Sequence, residues 1–348
     1  MTTPPASSWR SLAATALAAV AVVVLVDVLA GRLAPPIVRR EIADGVRDLD
    51  RGDPTLLVLG SSHARSFEAM GDTLAARTAG QVRTVTVPVE FGKFTAYDWV
   101  LQHRLRPLLA ARRPDGTRVR GSLRRLVLVT EWWDGCAPFG GEPLASLPSR
   151  GWSWADFVAD VAAHGVTPYN RNYVQSRWRR LWPASALVQD RGKRQVLLTL
   201  RRRLLDSPAD SARHDSAFVQ DWRAMIEAGA DCVGDPAELA ALGRMLAWAE
   251  RAGLRTTIVL FPRKPNTITP RALATTFARY RAIIDSAAAR HGATVVDLTL
   301  GSPLGDDDFM ADFDHVTRAG NEKFAAWALA DALRDLATPD VAATGAPR

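Results

Sequence analysis

Five short apolar runs, separated by amphipathic stretches, set out the plan of the chain. The runs span 56–59, 82–89, 125–130, 256–261 and 293–298. They are rich in β-branched residues and show little polar alternation, the pattern of strands covered on both faces. Helical periodicity fills 67–76, 97–111, 236–252, 270–291 and 319–336. Regular alternation of strand and helix predicts a parallel α/β sheet, with right-handed crossovers and helices on both faces.

Three stretches fall outside this alternation. The first is Ser11 to Val26, "SLAATALAAVAVVVLV", which carries no charge and stays apolar past Asp27 to about Leu33. A helix needs about 20 apolar residues to cross a bilayer, so residues 1–33 are expected to hold a short cytoplasmic stub and a transmembrane signal-anchor. A cleaved signal peptide ending near Ala30 and a buried core helix are the alternatives. Arg32, Arg39, Arg40 and Arg47 follow the segment and only Arg10 precedes it, which by charge bias alone places the large domain in the cytoplasm. A signal-anchor places it outside. The second stretch, 34–54, reads as a polar stalk or a short helix.

The third stretch, 137–231, lies between the third and fourth strands and is rich in Trp, Arg and Pro, as in "QSRWRRLWPASALV". It is expected to be a mostly helical insertion above the sheet. It is either an Arg-studded solvated face with Trp packed beneath, or a basic, aromatic lid able to hold sugar faces, acyl chains and anions. The Ala/Pro-rich residues 339–348 are expected to form a flexible tail.

Composition narrows the classes. The chain has 348 residues, 47% of them apolar, enough to bury a substantial core and to exclude global disorder. Its formal charge of +7 suits an anionic partner, but an Arg- and Ala-rich codon bias explains it more simply. No nucleic-acid-binding motif is present, and no nucleic-acid partner is expected. Cys136 and Cys232 stand in no metal-ligand spacing, so no metal or other cofactor is expected. They pair in an oxidising compartment or serve as small core residues in a reducing one.

The chemistry gathers at two places. In "LLVLGSSHARSFEAM" the first strand runs into Gly60, Ser61, Ser62 and His63. Strand ends of this kind hold the sites of parallel sheets, and a serine at the start of the next helix sits where N–H groups favour negative charge. Such a serine needs a base. The stretch "DDDFMADFDHVTRAGNEKF", after the last strand, offers His315, with Asp312 placed to orient the imidazole and Asp314 pointing elsewhere. Taken singly, Gly-Ser-Ser-His is a turn and His315 a surface residue; together they outline a catalytic triad.

"VLGSSHA" with "DFDHVTRAG" resembles the SGNH/GDSL hydrolase superfamily over residues 54–338, the insertion excepted. The resemblance implies a flavodoxin-like three-layer α/β/α fold with a five-stranded parallel sheet. It implies catalytic roles for Ser62 as nucleophile, His315 as base and Asp312 as its orienting acid, with the Ser62 and Gly92 N–H groups as oxyanion donors. The ending is similar to that of membrane-linked members that move acyl groups on envelope glycans. The implied activity is thus a membrane-anchored serine esterase or O-acyltransferase acting on acyl, chiefly acetyl, esters of an envelope polysaccharide or lipid from the extracytoplasmic side, with a membrane acyl-donor partner. The third block departs from the pattern. Glu131, Trp132 and Trp133 stand where the family has Asn, and a carboxylate there repels an oxyanion unless it is neutralised. Asn170, Asn172, Asn266 or a Trp N–H are candidate substitutes. His63, Glu131 and Trp132 are candidate substrate-binding residues, His63 being otherwise a solvent-facing turn residue. The alternative to an enzyme is a degenerate envelope protein of the same fold that binds an anionic glycan or a membrane partner.

Overall fold

The computed structural model describes residues 37–89, 92–111, 122–137, 154–166, 208–310 and 315–338, with scattered positions within 14–25 and 170–174. Five strands form one all-parallel sheet: β1 Leu56–Gly60, β2 Thr84–Pro88, β3 Arg125–Thr130, β4 Arg255–Leu260 and β5 Thr294–Asp297. Their spatial order is β2-β1-β3-β4-β5, the doubly wound order of flavodoxin-like sheets. All five fall on the apolar runs. The expected second strand shortens because its first two residues and Val89 lie outside the ladder.

Alternate residues of each strand feed two cores. Leu57, Leu59, Leu126, Leu128 and Ile258 face one side, packed under the helices Ile37–Arg51, Phe94–Val100, Pro236–Arg251 and Ala278–Arg290. Leu56, Val58, Val127, Val129 and Val259 face the other, under Ser66–Arg77 and Arg318–Ala328. Burial on both sides is why the strands read as continuous apolar runs. The chain leaves β1 toward β2, then returns past β1 to build β3, β4 and β5. That reversal moves the crossover helices to the opposite face, as a constant handedness requires. It also opens a crevice beyond the carboxyl ends of β1 and β3.

Of the two readings of 34–54, a polar stalk or a short helix, the helix is the one found, and it packs on the sheet. Ile37–Arg51 is a helix that buries Ile42 and Leu49 in the first core. It lies so close to β2 that a Cβ at Gly45 would meet the Thr86 carbonyl and Val87.

Among the described residues no helix is long and apolar enough to cross a membrane. The segment 11–33 is described only at scattered positions, so the expected span lies largely outside the described residues. Most of 137–231 lies outside them as well, and its described parts are mainly the helices Trp154–His164 and Pro208–Cys232. Cys136 and Cys232 form a disulfide with Cα atoms 4.8 Å apart, which fastens the two roots of the insertion together. The Gly135 carbonyl reinforces this junction by accepting from the N–H groups of Gly234 and Asp235 at 2.9 Å each.

Candidate active site

Gly60 ends β1 because nothing larger fits there. A Cβ would run into the carbonyl oxygen of Val129 on β3, its register partner. The constraint is close approach of two strands, and Gly60 is not among the residues with positive φ. Ser61 then caps a single 3-10 turn, Ser62–Arg65, its Oγ accepting from the His63 N–H at 3.3 Å. Ser62 opens that turn, where backbone N–H groups have no intrahelical partner.

The fold brings Ser62 to His315. The Ser62 Oγ lies 2.7 Å from Nε2 of His315, across 253 positions of sequence. With Nε2 as acceptor the hydroxyl donates to it, the arrangement in which an imidazole can take a serine proton. His315 is anchored by its backbone: its carbonyl accepts from Met310 N–H at 2.7 Å, and Phe309 and Val316 form an antiparallel bridge. Thr317 caps the following helix through Gly320 N–H. Asp312 falls between Met310 and His315, in 311–314, outside the described residues. Between the two serines the geometry distinguishes plainly. Ser61 Oγ lies 3.0 Å from Nδ1 of His63 and within reach of Glu131, whereas Ser62 meets His315.

Glu131 follows β3 directly and is buried. Its Oε2 accepts from the Arg263 guanidinium at 2.6 Å, with both side chains at most 3% exposed. Its Oε1 lies 3.1 Å from Nδ1 of His63. The carboxylate that the sequence sets against an oxyanion is therefore neutralised by a buried cation. Arg263, two residues beyond Phe261 at the end of β4, has its Cζ 5.6 Å from the centre of the Trp222 ring, on the return helix of the insertion. Ser61 and His63 after β1, Glu131 after β3 and Arg263 after β4 thus form one buried polar chain across three adjacent strand ends.

The other expected site residues are placed differently. Gly92 N–H donates to the Val89 carbonyl at 2.7 Å, closing a turn, so it is not presented to Ser62. Gly92 is glycine because a Cβ there would collide with Tyr97 and Val89. Trp132 is a core residue: its ring fills the space against Gly229, where a Cβ would overlap it. It is not a surface for substrate, and its Nε1 is buried without a partner. Asn170 donates to the Gly165 carbonyl at 2.6 Å, Asn266 lies in the turn after β4, and Asn172 is outside the described residues. His63 is not solvent-facing; it is 2% exposed.

Below Glu131, Asp134 is fully buried. Its Oδ2 accepts from Glu131 N–H at 3.1 Å and its Oδ1 lies 3.1 Å from the Tyr97 hydroxyl. Burial, and then the Glu131 charge, push the Asp134 carboxyl well above the usual range. Burial and the Asp134 charge likewise raise the Tyr97 phenol.

Among the described residues no cluster of His, Cys, Asp and Glu is arranged to hold a metal ion. An open pocket lies past β4 and β5, lined by Leu260, Phe277, Tyr280, Asp297 and Thr299 among others, and neither Ser62 nor His315 lines it. In comparisons with known proteins, no family model matches the chain and no curated protein aligns with it.

Proposed function

We propose that the chain is a serine esterase or O-acyltransferase of the SGNH type, anchored to a membrane through residues 11–33 and acting on acyl esters of an envelope glycan or lipid. The observation that carries this reading is the 2.7 Å contact between Ser62 Oγ and His315 Nε2 at the carboxyl edge of a parallel sheet. Ser62 attacks the acyl carbonyl while His315 takes its proton. The tetrahedral oxyanion forms at the start of the Ser62–Arg65 turn, and His315 returns the proton to the departing alcohol. The acyl-enzyme then passes its acyl group to water or to a sugar hydroxyl. Asp312 would hold the Nδ1 proton of His315. The Cys136–Cys232 disulfide supports an extracytoplasmic domain, because such bonds persist in oxidising compartments.

The test is turnover of 4-nitrophenyl acetate, with and without an oligosaccharide acceptor. Ser62→Ala and His315→Asn are expected to lower kcat/KM by about 10³-fold or more. Unchanged turnover in both variants would overturn the reading.

A second reading, a glycan-binding envelope protein on the same scaffold, is favoured by two observations: Glu131 in place of Asn after β3, and a Gly92 N–H already donated to Val89. It requires salt-dependent glycan binding that is indifferent to Ser62→Ala.

A further inference from the structure

His63 is the second imidazole of the site, and its surroundings give it a definite job. Its Nδ1 lies 3.1 Å from Glu131 Oε1 and 3.0 Å from Ser61 Oγ. Glu131, ion-paired to Arg263, accepts at this contact, so the His63 proton sits on Nδ1 and the ring is held at that edge. Two rings stack with it: Phe261, with centroids 4.6 Å apart and planes 28° apart, and His315, at 5.4 Å and 25°.

We propose that His63 is a positioning residue for the base: clamped at its edge by Glu131 and on one face by Phe261, it presents a fixed flat plate that sets the ring plane of His315. Hydrogen bonds at the edge of His315 hold it by atoms that lie in the ring plane, and rotation about those atoms tilts the plane. A stacked neighbour removes the tilt. Displacement of a reacting group by about 1 Å costs on the order of 100-fold in rate, so the plane in which the base is held bears on kcat. The order of support runs from Arg263 to Glu131, to His63 and to His315, through groups after β4, β3 and β1. This inference rests on the esterase or acyltransferase reading.

Two substitutions separate the plate from its clamp. His63→Phe keeps a flat ring and loses the Glu131 contact. His63→Asn keeps an amide N–H near the Nδ1 position and loses the ring. With 4-nitrophenyl acetate, His63→Asn is expected to lower kcat by about 10–100-fold with KM unchanged, and His63→Phe to recover most of that loss. The rate constant for fluorophosphonate labelling of Ser62 is expected to follow kcat. Equal losses in both variants, a change confined to KM, or wild-type kcat in His63→Asn would each overturn the proposal. A wild-type protein that neither turns over ester nor labels would overturn the esterase reading itself, and this inference with it. If the His63 variants do not fold, Phe261→Leu, which removes the other ring stacked with His63, carries the test. A several-fold lower kcat at constant KM supports the plate; an unchanged kcat overturns it.

Discussion

The Glu131 carboxylate and the Arg263 guanidinium meet at 2.6 Å, with Ser61 in reach of the carboxylate, both almost wholly out of contact with solvent. Removing one member of such a buried pair strands the other, at about 3–5 kcal/mol, whereas replacing both with apolar residues of similar size is often near neutral. Arg263→Met is therefore expected to lose several kcal/mol in urea unfolding, and Glu131→Leu/Arg263→Met to recover much of it. Strictly additive losses would contradict the pairing.

Gly60→Ala tests the approach of β1 to β3. Its methyl group has to displace the Val129 carbonyl, in the sheet rather than in a yielding side chain. Overpacking of this kind costs about 1–3 kcal/mol, and moving backbone places the cost at or above the upper end. A urea midpoint equal to wild type would show that the strands tolerate separation.

The central strands β1 and β3 were legible in the sequence because they are buried on both faces along their whole length, whereas the edge strand β5, which has no fully buried residue, was legible only from its β-branched run. Leu56–Leu59 and Arg125–Thr130 have no exposed position to blur the pattern. The pairing of Ser62 with His315 was legible because Ser62 follows β1 just past Gly60, and His315 stands three positions after Asp312 in the stretch beyond the last strand. Arg263 was missed, although a charged residue two positions past the apolar run 256–261 is the signal that could have found it. Its value depends on Glu131, 132 positions away, and no local pattern reports that distance. His63 had the same difficulty: nothing in Ser61-Ser62-His63 distinguishes a solvent-facing imidazole from one stacked on Phe261. The helix Ile37–Arg51 was only half legible, since few of its residues are apolar and its fit against β2 comes from the absence of a side chain at Gly45.

Asp134 gives the stability a definite pH dependence. With its carboxyl pushed up, the folded protein keeps a proton that the unfolded chain releases above about pH 3.9. The folded state binds more protons there, so stability falls as pH rises from about 4 through the elevated value, and the cost is complete above it. The Tyr97 hydroxyl, 3.1 Å from Asp134 Oδ1 and 3.1 Å from the Gly92 carbonyl, has a single proton for the two acceptors, so it compensates an ionised Asp134 only in part. Unfolding free energies measured from pH 4 upward for wild type and Asp134→Asn are expected to show wild type losing ground to the variant with rising pH. A constant difference would contradict a raised Asp134.

The disulfide closes a loop of 96 positions. Cross-links spanning about 100 residues stabilise by about 4–5 kcal/mol in the chain-entropy description. Cys136→Ser/Cys232→Ser is expected to unfold at clearly lower urea, and the denatured, unreduced wild type to show no free thiol. Two titratable thiols would remove the link between the roots of the insertion.

The most direct measurement of the central claim is the mass and map of a fluorophosphonate adduct. Wild type is expected to gain one adduct, located on Ser62, at a rate that collapses in His315→Asn and is abolished in Ser62→Ala. A label that persists in Ser62→Ala, or one that maps to Ser61, would contradict the pairing of Ser62 with His315 as the reactive centre.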